Sequence, residues 1–251
     1  MKRIIVNADD FGINEVVTSE IERMAELGAI SSTTVMANGT CLDEVKRFAS
    51  LHPEISFGLH LCLSEFGSVT KSLVLKKYGL IGDHGCFVHK QIFKIRKYDD
   101  DLKTAIKAEL NAQIHIVKSL GIPISHADSH HHVHTIYPLR EVFAEVLQEN
   151  GIKRIRIGQD FRNWRSKRHI IQWAKRVRLN QFYSSHFSTI DEFYSYSDYL
   201  STKHNDSKKI VELMCHPGHP GKKYRDEMGF VEAKAAFAKE DIKMITYNEI
   251  Y

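Results

Sequence analysis

Five histidines crowd the nine residues His126–His134: His126, His130, His131, His132 and His134. Imidazole is the commonest neutral metal ligand near pH 7, and this chain carries 15 histidines in 251 residues. One ion cannot take all five, so some must serve as outer hydrogen-bond donors or substrate contacts. Three other clusters carry matching chemistry. Asn7-Ala8-Asp9-Asp10-Phe11-Gly12 sets two adjacent carboxylates after an apolar run. Such a pair is costly unless something neutralises it, although a turn or helix cap would also explain it. Phe57-Gly58-Leu59-His60-Leu61 places a histidine inside an apolar strand, where a hydrogen-bonded core histidine is the commoner outcome. Glu212-Leu213-Met214-Cys215-His216-Pro217-Gly218-His219-Pro220 ends an apolar run in a histidine and a Pro/Gly-rich turn, which is either a loop with incidental histidines or a histidine held at a rim.

One arrangement accounts for all four. A metal held by an aspartate and two histidines from different strands, with positions left open for water, would acidify that water and polarise a carbonyl. A second carboxylate and a further histidine then remain as base and acid. A rival hydrolase chemistry stays open, because His132-Val133-His134 is a His-x-His pair of the kind two-metal phosphoesterases use.

Short apolar runs alternate with helical patterns along the chain. Strands are expected at Arg3–Asn7, Ser32–Ala37, Ile55–Leu63, Ile124–Asp128, Ile152–Ile157, Ile210–Cys215 and Ile242–Tyr247. Helices are expected from an Asn14 cap to Leu27, over Leu42–Leu51, from Asp99–Asp101 to Gly121, over Pro138–Asn150, through the basic region to about residue 180, and over Glu227–Lys239. Leu102, Ile106, Leu110 and Ile114 repeat every four residues on the strongest of them. Residues 64–98 read as an insertion, and 187–200 as a short strand followed by a helix. Repeated β-then-α units in one domain, 1–251, favour a parallel sheet. Every polar cluster follows a strand, which favours a (β/α)-barrel-like α/β fold with its site at the strands' C-terminal ends.

The hydrophobic content of 43% and charged content of 26% are those of an ordinary globular protein. No stretch has the length of a membrane span, so no membrane partner is expected. Four scattered cysteines and an N-terminus without an apolar signal segment fit free thiols and a cytoplasmic location. Net charge is +4, yet residues 153–178 hold ten Lys/Arg against one acid, Asp160. With Phe161, Trp164 and Trp173 interleaved, this stretch could grip nucleic acid. A solvated amphipathic helix is the favoured alternative, so no nucleic-acid partner is expected. The same stretch could pair with an acidic surface on a second copy, giving a homodimer.

Asn-Ala-Asp-Asp-Phe-Gly at 7–12, Gly-Leu-His-Leu at 58–61, Asp-Ser-His-His-His-Val-His at 128–134 and Met-Cys-His-Pro at 214–217 together resemble the YdjC-like carbohydrate deacetylases, which include the chito-oligosaccharide deacetylases. The match runs in order and spacing from residue 3 to about 220. The resemblance implies a barrel-like fold and hydrolysis of N-acetyl groups on an acetylated amino sugar or oligosaccharide, with magnesium as the divalent metal. It also implies Asp10, His60 and His130 as metal ligands, Asp9 as general base, His216 as general acid, and Arg156 as the group that keeps Asp9 ionised. Two imidazoles and a carboxylate equally suit zinc, cobalt, manganese or iron, since magnesium favours oxygen donors. As the acid, His216 needs a raised pKa, and Asp128 is the candidate carboxylate neighbour.

Overall fold

The computed structural model describes residues 2–158, 167–195, 198–199, 209–219 and 242–250. Seven strands lie among them: β1 Lys2–Phe11, β2 Ser32–Val35, β3 Ser56–Leu61, β4 Ile124–Ser129, β5 Glu192–Ser195, β6 Ile210–Cys215 and β7 Ile242–Met244. All pair in parallel in the order β4-β3-β2-β1-β6-β5, and β7 joins β1 along Lys2–Ile4. Single parallel bridges continue the ring. Ala127 of β4 pairs with Ile155, Arg154 pairs with Ser188, and Ser188 leads within a few residues into β5. The sheet therefore curls back on itself as the expected barrel-like α/β fold.

Six helices accompany the strands among the described residues: α1 Glu15–Glu26, α2 Leu42–Leu51, α3 Leu73–Lys77, α4 Asp100–Ser119, α5 Arg140–Glu149 and α6 Lys167–Ser184. Asn14 caps α1 by accepting from the Val17 amide, and Asp99 caps α4 by accepting from that of Leu102. The periodic faces pack inward as their spacing requires, with Val17, Ile21 and Met24 of α1 and Leu102, Ile106, Leu110 and Ile114 of α4 all buried. The four cysteines are free thiols, and no described helix is long and apolar enough to cross a membrane.

Several expectations are corrected. Ile152–Ile157 pairs on both sides but through one bridge on each, because the chain beyond β4 turns away at His130 and the Ser188 neighbour is itself leaving a turn. The insertion contains α3, a 3-10 helix at Gln91–Lys94 and two antiparallel bridges, Gly67 to Cys86 and Ile81 to Phe87. The last strand stops at Met244, where the chain enters a 3-10 turn at Tyr247–Glu249 capped by Thr246. The helix expected over Glu227–Lys239 lies outside the described residues, as do Phe161 and Trp164.

Candidate metal centre and active site

In a regular strand, neighbouring side chains point to opposite faces. Asp9 and Asp10 escape this rule because the β1–β2 register shifts between Ala8 and Phe11, and Asp10 sits at φ +71. A bulge of this kind re-aims side chains, here at a cost of about 1–3 kcal/mol for a non-glycine left-handed residue. Both carboxylates are consequently buried at the same end of the barrel, each about 1% exposed.

Asp10 meets two histidines from other strands. Its Oδ1 lies 3.1 Å from His60 Nε2 and 2.8 Å from His130 Nδ1. Donor atoms so spaced match the roughly 3 Å edge of a coordination shell with bonds of about 2.1 Å. The outer nitrogens are also provided for. His60 Nδ1 sits 2.6 Å from Asp128 Oδ1, and His130 Nε2 sits 3.2 Å from Glu65 Oε2. A carboxylate behind each imidazole is the usual way to fix a ligating histidine's tautomer and orientation. Burial disfavours a charged His60, yet Asp128 and Asp10 outweigh it and raise its pKa well above the ordinary value. Burial likewise opposes ionisation of Asp10, but His60, His130 and His219 hold it well below the usual carboxylate range. The pocket thus stabilises positive charge beside Asp10, and its donor set fits a divalent cation. Asp9, His60 and Asp128 form another close group, but Arg156 already supplies the cation there.

Arg156 is completely buried and spans three carboxylates. It donates to both oxygens of Asp9 at 2.8 and 2.7 Å, to Glu212 Oε1 from Nε at 2.8 Å, and lies 2.5 Å from Asp128 Oδ2. Against the burial penalty, this guanidinium holds Asp9 far below the usual range, so Asp9 is an ionised acceptor. Asn7 adds a 2.9 Å hydrogen bond to Asp9 Oδ1. One residue counted in the basic stretch is therefore part of the site, and Arg154 is tied to the backbone carbonyl of Ile250.

His216 Nε2 stands 3.8 Å from Asp9 Oδ2. The expected raised pKa is corrected. Burial lowers it, and this outweighs the opposing pull of Asp9 and Asp10. The expected partner is corrected too, since Asp128 is engaged by His60 and Arg156. His219, given no role from the sequence, has Nε2 3.0 Å from Asp10 Oδ2.

The remaining histidines of the run separate by environment. His126 stacks flat on Tyr247 with ring centres 3.5 Å apart. Its ring occupies the space a Cβ on residue 58 would need, at 2.4–2.7 Å, so only glycine fits there. His134 Nδ1 lies 2.5 Å from Ser129 Oγ, and its carbonyl accepts from Tyr183. His132 meets Phe193 edge to face, and His131 lies 2.9 Å from Ser64 Oγ. Burial keeps His126, His131, His132 and His134 neutral. His132 and His134 join none of the close ligand groups among the described residues, which removes the geometric basis for a two-metal His-x-His site.

Sequence reasoning missed Glu65, which stands on a loop without periodicity. It also missed Glu109 and Gln113, buried on α4. Glu109 accepts from Ser68 Oγ and from the amides of Val69 and Thr70, and Gln113 brackets the Cys62 amide and carbonyl. These bonds fix the loop that carries Ser64 and Glu65.

Glu212 was named only as the start of a motif, yet it closes the buried network. Its Oε2 accepts from Tyr247 hydroxyl, and burial pushes its pKa up from 4.5 to about 7 against the opposing Arg156. A raised folded-state pKa means stability present below the unfolded value and lost as pH rises through the folded one. Over pH 4.5 to about 7 this amounts to about 3 kcal/mol. Urea unfolding at pH 5 and pH 8 is expected to show that loss in the parent and to show it removed in Glu212→Gln; equal pH dependence in both proteins would discount the effect.

Comparison with known proteins finds relatives along nearly the whole chain. A Halalkalibacterium halodurans protein named carbohydrate deacetylase is 29% identical over 92% of each chain. A Klebsiella pneumoniae protein named chitooligosaccharide deacetylase is 29% identical over the whole of both. A crystal structure of an Enterococcus faecalis protein, a candidate for cellobiose-phosphate cleavage, superposes with a TM-score of 0.74 at 22% identity, covering 98% of this chain and 97% of its own; that likeness concerns the fold. The family model described as YdjC-like protein matches residues 3–248, nearly the full length, so the chain belongs to the YdjC-like family.

Proposed function

We propose that this protein is a metal-dependent deacetylase that hydrolyses the N-acetyl group of an acetylated amino sugar or chito-oligosaccharide to acetate and a free amine. The observation that carries the reading is the convergence, at one end of the barrel, of the Asp10–His60–His130 donor set, an ionised Asp9 clamped by Arg156, and His216 beside Asp9. The names of the relatives support the same substrate class. A divalent cation held by Asp10, His60 and His130 would supply the charge that polarises the acetyl oxygen and acidifies water. The family resemblance implies magnesium, whereas two nitrogens and one oxygen also suit zinc, cobalt, manganese or iron.

The chain's own groups do the rest. Asp9, acceptor-only while Arg156 holds it ionised, takes the proton of the attacking water. His216 is the group placed to protonate the departing amine, which is a poor leaving group without that proton. Because burial favours neutral His216, the proton it delivers is the one Asp9 takes from water, passed across the 3.8 Å between them; the transfer returns Asp9 to the carboxylate that stabilises the imidazolium until the amine leaves with the proton.

Acetate release from acetylated chito-oligosaccharides, measured beside phosphomonoester hydrolysis, tests the reading; preference for the phosphomonoester would sink it. Asp9→Asn is expected to keep metal stoichiometry and lose roughly 10²–10⁴ in turnover. His216→Ala is expected to lose as much on the amide but far less on an activated acetyl ester, whose leaving group needs little protonation. Equal losses on both substrates would reassign His216 to positioning.

A further inference from the structure

The insertion between β3 and α4 brings a second donor cluster to the barrel rim. Glu65, His89 and His131 each present a ligand atom within 4.8 Å of the others. His89 Nδ1 lies 3.6 Å from Glu65 Oε1, and His131 Nε2 lies 3.9 Å from Glu65 Oε2. Tetrahedral coordination with bonds of about 2.0–2.1 Å sets donors about 3.4 Å apart, so only small side-chain shifts separate these atoms from a ligating arrangement. The backbone beneath them is fixed. Phe87 amide donates to Phe66 carbonyl at 2.7 Å and Lys90 amide to Ser64 carbonyl at 3.0 Å, which locks the His89 segment beside Glu65. His131 turns its other ring nitrogen to Ser64 Oγ, so Nε2 is the atom that faces the cluster. His89 is 59% exposed and has room to close.

We propose that Glu65, His89 and His131 form a second cation site, suited to a borderline transition ion such as Zn²⁺, distinct from the Asp10–His60–His130 centre. Two imidazoles and one carboxylate are the donor chemistry such an ion prefers. The two sites are linked through one side chain, because Glu65 Oε2 also lies 3.2 Å from His130 Nε2. Charge at the rim therefore acts on the carboxylate that orients an inner ligand.

The test is Zn²⁺ stoichiometry of the full chain by equilibrium dialysis and metal analysis, with Co²⁺ absorption as an independent readout. The parent is expected to bind two equivalents. His89→Ala should bind one, and His60→Ala should lose the other. The equivalent retained by His89→Ala shows that the protein is folded, so loss of the second cannot come from unfolding. A single equivalent in the parent, or two in His89→Ala, would overturn the proposal. Deacetylase activity does not enter the measurement: two equivalents in a protein inactive on acetylated sugars would keep this site and remove the proposed function.

Discussion

His60→Ala and His130→Ala are each expected to lose tightly bound divalent metal at the inner centre and to reduce acetate release at least 10³-fold. The size follows from the role. A cation that stabilises developing negative charge lowers the barrier by several kcal/mol, and each 1.36 kcal/mol is a factor of ten. The two variants should differ in stability. His60 is wedged between Asp10 and Asp128 and is almost wholly buried. Among the described residues, its removal leaves Asp128 with Arg156 and Thr34, so part of its cost should appear in unfolding. His130 is tied to the more exposed Glu65, and its loss should be felt in metal and turnover more than in folding. Metal analysis after dialysis, initial rates and urea midpoints separate these effects. Either variant retaining a full inner equivalent of metal at parental affinity would show that its imidazole is not a ligand.

The Asp10 ligand set depends on features of unequal visibility in the sequence. The strands that carry Asp9, Asp10, His60 and His216 were legible because apolar runs ending in polar residues are a strong pattern. The dense run at 126–134 was legible as a site but not sorted, since Nδ1 of His130 reaching Asp10 while His126 stacks on Tyr247 depends on tertiary placement. Arg156 could be named because it lies on an apolar segment, but Glu212 as its other partner could not: a carboxylate in a β-strand carries no periodic signature. Glu65 was invisible for a similar reason. Its position is set by Glu109 and Gln113, which on α4 look like ordinary polar residues and are in fact buried. Asp128 lies close in sequence to the histidine run, yet β4 delivers it to the neighbouring β3 and so to His60, and Asp9 is the carboxylate beside His216.

Arg156→Met is expected to cost about 3–5 kcal/mol at neutral pH, the range for stranding the partners of a buried charge. The guanidinium is the cation shared by Asp9, Asp128 and Glu212, all of them buried. A methionine replaces the aliphatic stem below the guanidinium, which overlies the Phe193 ring at 4.7 Å, but neutralises nothing. The three carboxylates would then have to be protonated, or remain buried with the charge of His60 as their main offset. Burying ionised carboxylates without that cation costs more, so the deficit should shrink as pH falls toward the unfolded carboxylate values and widen above them. Arg156→Lys restores charge but not the fork that grips both Asp9 oxygens while reaching Glu212. It should recover most of the stability and little of the turnover, because Asp9 is no longer fixed in orientation. Urea unfolding between pH 5 and pH 8, beside initial rates for the two variants, distinguishes charge from geometry. If Arg156→Met unfolds within about 1 kcal/mol of the parent at pH 8, the triad is not the buried cation-centred network described above; if Arg156→Lys keeps full turnover, a point charge suffices to hold Asp9 in its working state.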